Sequence, residues 1–350
     1  MKKIVLHIGY SVAIGCVAAS LWVTASGIAQ AELAVIRATR VIQCGTNDDE
    51  RPAVVTGVSI SADGRTVGAA TDDHRVTIWD AASGEMRGRL DGHTDWVRSV
   101  VMSQDGSTLG SGAGDRSLCL WDVDRQQQQL QLPACENSIA AVAFHPNNQQ
   151  IAVVGFSNSL KIVNTSTGQV SQELDCPCSD VRTVTFSRDG ERMAVAGRNG
   201  KIRVWNVTSG ARERDIETDG RRIRALAFSP DSRWLAAAGS SPAISILDAT
   251  TGETVMTLNT RPAKVYALVF VDNRRLATGG TDNRIRIWDL DSRQITSQLI
   301  GHTGTVAALA CDRSGAVLVS GSYDTTLRIW NLRDRPVAAT ATRRAPVSAH

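Results

Sequence analysis

The sequence predicts an all-β chain, a seven-bladed β-propeller built from four-stranded antiparallel blades. Two observations carry that prediction. First, a short run with apolar residues at alternate positions, closed by a large side chain and an Asp or Asn, occurs seven times. It reads Val76-Thr77-Ile78-Trp79-Asp80 near the start and Leu327-Arg328-Ile329-Trp330-Asn331 near the end. The large residue falls at positions 79, 121, 163, 205, 247, 288 and 330, so the steps are 42, 42, 42, 42, 41 and 42 residues. A repeat of this length ending in Trp-Asp is the mark of a propeller blade. Second, turn-forming pairs recur 16 residues before each slot: Asp63-Gly64, Asp105-Gly106, Asn147-Asn148, Asp189-Gly190, Asp231-Ser232, Asp272-Asn273 and Ser314-Gly315. These residues suit tight turns and positive φ, so their repetition has a mechanism. A single four-stranded sheet cannot bury both faces, whereas sheets packed around an axis cover one another.

In chain order, residues 1–31 are of a different kind. Lys2 and Lys3 precede a mostly apolar run over 4–23, and Ala29-Gln30-Ala31 supplies small residues before Glu32. This reads as a secretory signal peptide, to be kept out of fold reasoning. The alternatives are an uncleaved anchor, since the apolar run is long enough to span a bilayer, and a lipoprotein signal ending at Cys16. The expected location is therefore exported, periplasmic or extracellular, with membrane anchoring by residues 4–23 as the alternative.

Residues 32–43 read as one strand and 44–52 as a loop, because Gly, Asn, Asp, Glu and Pro cluster there. Residues 53–335 form the propeller and 336–350 a loosely ordered tail. Each repeat holds an inner strand such as Val97–Met102, a second strand, a tight turn with Asp or Asn, the slot strand and an outer strand. The one missing residue lies between Phe270 and Asp272, in a turn where shortening costs little. Two segments compete to be the outer strand of the last blade, 33–43 and 336–342. The first is more apolar and closes the ring with the chain's own beginning, so it is preferred.

Small and β-branched residues dominate. Aromatics make up only 5% of the chain, and five of the eight Trp sit in the repeat slot, which assigns Trp a structural use here. Removal of the leader with Lys2 and Lys3 would leave 36 basic residues against 35 acidic ones. That balance argues against a nucleic-acid partner. Six cysteines lie beyond the leader: Cys44, Cys119, Cys135, Cys176, Cys178 and Cys311. Cys135, Cys176 and Cys178 hold nearly equivalent places in neighbouring repeats, and an exported chain permits a bridge from Cys135 to Cys176 or Cys178.

The Gly-His and Trp-Asp pairs make the chain resemble the WD-repeat (WD40) family of seven-bladed propellers over roughly residues 53–332. The resemblance implies a hydrogen-bonded structural network of His, Ser, Asp and Trp in each blade. Blade two has His93, Ser111, Asp115 and Trp121. Blade seven has His302, Ser320 or Ser322, Asp324 and Trp330. Blades one and six keep Asp73 with Trp79 and Asp282 with Trp288 but lack the His. Blade four has Asn199 with Trp205. Blades three and five lose both partners, with Val163 and Leu247 in the slot and Ser157 and Ser241 in place of Asp. The joint loss is physically sensible, because a buried indole N–H and a buried carboxylate each need partners. Blades three and five should then be held by apolar packing and be the weakest sector.

No catalytic constellation stands out. Of six His, His93 and His302 fit the network, and His74 and His145 are too few and too far apart for a metal site. No haem, nucleophile-elbow or phosphate-loop motif is present, so no cofactor, no metal and no enzyme activity are expected. The resemblance implies instead that partners bind where the inner strands begin. Two positions per blade face that mouth. They place Arg98, Arg182, Arg198, Arg224, Phe156, Tyr266 and Tyr323 around one opening, with Trp96 beside Arg98. Arg and Tyr are residue types enriched at binding hot spots. The expectation is a non-enzymatic scaffold of the cell envelope, a monomer within a larger complex, binding an acidic protein or peptide. The alternatives are an enzyme or small-ligand binder using the central channel, and a structural subunit of an envelope complex.

Overall fold

The computed structural model describes residues 33–45, 52–133, 135–177, 180–260 and 263–333. The expected signal peptide and the C-terminal tail lie outside the described residues. What is described is all β: seven sheets, arranged as seven blades in a ring. Blades one to five each hold four consecutive antiparallel strands in meander order. The dominance of β-branched and small residues is what permits narrow sheets to stack this closely.

The N-terminal segment closes the ring but not as one strand. Ala34–Arg37 pairs in parallel with Gln294–Ile300 and makes blade six five-stranded. The chain then bends at Thr39, whose N–H donates to the Ile329 carbonyl at 2.8 Å. Arg40–Gln43 next pairs antiparallel with Thr326–Asn331 as the outer strand of blade seven. Ile36 and Ile42 are the buried members of the two short strands. One clasp therefore grips two blades.

The core is divided among the seams. Seven apolar clusters are present, and each draws on neighbouring blades. Ile42 packs with Val55, Val67, Val319 and Leu327 where the last blade meets the first. Ile36 packs with Ile285, Val306 and Trp330 one seam earlier.

The repeated turns behave as their residues require. Gly64, Gly106, Asn148, Gly190, Ser232 and Gly315 all adopt positive φ. In the shortened turn, Asp272 instead accepts the N–H groups of Arg274 and Arg275, each at 2.8 Å. The tight turns after Asp or Asn place His74, Arg116, Gly200, Asn283 and Thr325 at positive φ. His74 is thus a turn residue.

The structural networks of blades two and seven are complete. In blade seven, Trp330 Nε1 donates to Ser320 Oγ at 2.9 Å, and Ser320 lies 2.7 Å from His302 Nε2. His302 Nδ1 lies 2.8 Å from Asp324 Oδ2. One proton direction fits all three links: indole to hydroxyl, hydroxyl to imidazole, imidazole to carboxylate. Ser322 is elsewhere, bonded to the Gly304 carbonyl, so Ser320 is the network serine. Burial acts to raise the Asp324 pKa, but hydrogen bonds from His302, Thr326 and the Thr303 N–H outweigh it and hold the carboxyl well below the usual range. Blade two repeats the chain through His93, Ser111, Asp115 and Trp121.

Blade six solves the missing His differently. Thr278 replaces the serine and accepts from Trp288 Nε1 at 2.9 Å, while Arg286 pairs with Asp282. In blade one, Trp79 donates to Thr77 at 2.8 Å, and Asp73 is met by Thr71 and Arg75. In blade three, Ser157 makes only long contacts of 3.4 and 3.5 Å around its turn. In blade five the network positions are Asp219, Ala237 and Ser241, and all three line a cleft of about 380 Å³. Leu247 and Val163 fill the two apolar slots and are both fully buried.

The expected bridge from Cys135 is not formed, since Cys135 is a free cysteine. Equivalence in neighbouring blades is the reason. Cys135 packs at one seam with Leu118 and Leu120, whereas Cys176 packs at the next with Val181 and Trp205. Cys178 lies outside the described residues. Burial pushes the Cys135 thiol up to about 11.

Candidate functional site

The mouth is built by one backbone device used seven times. Each inner strand opens with a register shift that leaves its second residue unpaired. The residues so placed are Thr56, Arg98, Ala140, Arg182, Arg224, Tyr266 and Ala307. A bulge of this kind re-aims a side chain out of the sheet's alternation. The second series is also fixed by a common bond. The backbone N–H of Asp72, Gly114, Phe156, Arg198, Ser240, Thr281 and Tyr323 donates to the residue just before the inner strand of its own blade, at 2.9 to 3.2 Å. Side chains at both positions are therefore presented by rigid backbone.

These devices gather a cavity of about 440 Å³ lined by Trp96, Arg98, Phe156, Arg182, Arg224, Tyr266 and Tyr323, together with Val54, Thr56, Asp72 and Ala140. Seven of the eight side chains expected at the mouth come together there. Arg198 does not; it is exposed and outside the cavity lining.

Within the cavity, guanidinium groups and rings interleave. Arg182 lies over Phe156 at 4.4 Å and Arg98 over the same ring at 5.4 Å. Arg98 also reaches the Trp96 ring at 5.9 Å, and Arg224 lies over Tyr266 at 4.4 Å. Such contacts hold Arg side chains upright and lower the ordering cost of binding. Arg182 is partly neutralised, with Nε 2.5 Å from Asp180 Oδ1, and Arg222 approaches the other oxygen at 3.6 Å. Arg222 escaped notice in the sequence because it lies outside both mouth series. Arg98 and Arg224 have no carboxylate within ion-pair distance among the described residues, and Arg98 Nε is buried without a hydrogen-bond partner among them. Burial raises the Tyr323 phenol, reinforced by Tyr266 and opposed by Arg224 and Arg98, which places all four groups within one field. Trp96 and Tyr323 remain 48% and 50% exposed, the type of amphipathic surface that anchors partners. Among the described residues, no group of three or more His, Cys, Asp or Glu is placed to hold a metal ion.

Comparison with known proteins follows the same repeats. A model of the IFT122 first beta-propeller matches residues 54–239. One of the WD domain, G-beta repeat, matches 293–331, and one of the anaphase-promoting complex subunit 4 WD40 domain matches 213–273. The U3 snoRNP-associated protein-like EMB2271 of Arabidopsis thaliana is 43% identical over 53 residues, which is 15% of this chain and 11% of that protein. The chain thus spans about a tenth of the length of that relative. These matches correct one expectation. The proteins they name belong to intracellular machinery and not to an envelope, so the reading of an exported, periplasmic or extracellular protein is overturned. That reading rested on residues 1–31 alone, and the matched residues lie beyond them.

Proposed function

Because the chain belongs to the WD-repeat (WD40) family of β-propellers, whose rings generally mediate protein–protein interaction, we propose that it is a rigid platform that takes an acidic peptide segment of a partner protein at the mouth where its inner strands begin. The observation that carries this reading is the pair Arg98 and Arg224, free of carboxylates among the described residues, set among Phe156, Tyr266 and Tyr323 in a concave site. An Asp or Glu side chain entering the cavity meets forked donors already held by ring faces. Little ordering cost remains, because a bulge in each inner strand sets the first series and backbone bonds fix the second. The chemistry supplied is recognition, with Arg182 softened by Asp180 and the free cations on either side of it.

Selection of displayed random peptides on the purified ring tests the proposal. Asp- and Glu-rich sequences are expected on the wild type and not on Arg98→Glu/Arg224→Glu. Neutral or basic peptides selected equally by both proteins would overturn it.

A further inference from the structure

The ring has a second opening, at the far end of the inner strands. The last residues of those strands form a collar: Ile60, Met102, Phe144, Phe186, Phe228, Phe270 and Cys311. All seven line a separate cavity of about 290 Å³. Six-residue strands set the two openings roughly 20 Å apart, so this is not an extension of the Arg and Tyr mouth.

Two residues beyond the collar, blades four and seven contribute Arg188 and Arg313, and both line the cavity. Blades four and seven stand across the channel from each other in a ring of seven. No ion pair holds either guanidinium among the described residues. The Arg313 backbone N–H is used, donating to the Ala62 carbonyl at 3.1 Å, which fixes where the side chain starts. The carboxylates next to the two arginines in the chain are committed: Ala316, Val317 and Ser314 donate to Asp312, which also lines the cavity, and Ser187 and the Glu191 N–H donate to Asp189. Burial first, and then the Arg313 charge, lower the Arg188 pKa, so the two cations sense each other across the opening. Like charges facing one another over an apolar collar leave a site whose field is relieved by an anion.

We infer that this lower opening binds a small phosphomonoester, its dianion bridging Arg188 and Arg313 and its apolar part lying on the Phe collar. Two guanidinium forks match the several oxygens of a phosphate better than one carboxylate. The cavity's size limits the ligand to a small molecule.

The test is calorimetric titration of the folded protein with phenyl phosphate, inorganic phosphate and phenol. Saturable binding with one site is expected for phenyl phosphate, weaker binding for inorganic phosphate, and none for phenol over the same range. Arg188→Gln and Arg313→Gln should each weaken phenyl phosphate by about tenfold or more, the factor equivalent to 1.4 kcal/mol. Arg224→Gln, at the other mouth, should leave it unchanged. Arg188→Lys, which keeps the charge and loses the fork, should fall between wild type and Arg188→Gln and serves if the Gln variant does not fold. Binding that survives both Gln variants, that is lost in Arg224→Gln, or that phenol reproduces would overturn the inference.

Discussion

Replacing His302 by Ala removes the middle link of blade seven's network and has a calculable cost. The His302 side chain is 1% exposed and the Asp324 side chain 6%, so neither bond is replaced by water at no cost. The link from His302 to Asp324 is a hydrogen bond to a charged group, worth about 1.5–3 kcal/mol. Ser320 keeps its bond from Trp330, and Asp324 keeps Thr303 and Thr326, so no carboxylate is orphaned. The ring contact with Trp330, 6.2 Å between centroids, adds roughly 0.5–1 kcal/mol. The Ser320 hydroxyl loses its acceptor, His302 Nε2, which adds roughly 0.5–1.5 kcal/mol, so the total is about 4 kcal/mol. The matched control is Asp219→Ala in blade five, where the same position is exposed and the change should cost under about 0.5 kcal/mol. Urea unfolding followed by circular dichroism measures both, provided the slope stays constant. A double-mutant cycle with Asp324→Ala should give a coupling of about 1.5–3 kcal/mol. If His302→Ala costs no more than Asp219→Ala, the network contributes nothing to stability and the reasoning is refuted.

Four further outcomes are expected. Asp324 has a depressed folded pKa, so its contribution to stability is fully present above the unfolded value near 3.9 and is lost as pH falls through the folded value; Asp324→Asn should therefore show a flatter loss of stability between about pH 4 and pH 2 than wild type. Leu247→Ala, at a fully buried site, should cost about 2–5 kcal/mol, and Ser241→Ala, in the turn before the same strand, far less, since blade five relies on packing; chemical denaturation reads both. Ile42→Asn should lower stability by about 2–3 kcal/mol and speed hydrogen exchange in Thr326–Asn331, its pairing partner. Burial pushes the Cys44, Cys119 and Cys311 thiols up to about 12 and that of Cys135 to about 11, so mass mapping after alkylation at pH 8 should find these four unmodified until the protein is unfolded.

What the sequence made legible follows from periodicity. Slot spacing located all seven blades, because every blade must bury the same faces against its neighbours. The single clasp strand read over 32–43 proved to be two, because nothing in an alternating apolar pattern marks the step from blade six to blade seven at Thr39. Arg286 standing in for the absent His of blade six was invisible for a related reason: it occupies an ordinary polar position of the slot strand and is paired across a turn. The mouth positions were legible because a repeated bulge fixes them, and Arg198 departs because its backbone, but not its side chain, is held there. The lower collar recurs with the same period, yet its apolar residues read as ordinary core until the structure left them lining an opening.

That the upper mouth takes an acidic partner segment is tested most directly by site-specific photo-crosslinking. A photoreactive residue replaces Tyr323 at the cavity and, separately, Val170 on the outer strand of blade three, which is 49% exposed. Adducts are expected from Tyr323 alone, and mass spectrometry should place them in an Asp- and Glu-rich segment of the captured protein. Adducts formed from Val170 and not from Tyr323, or a crosslinked segment without acidic residues, would contradict an acidic partner at the mouth.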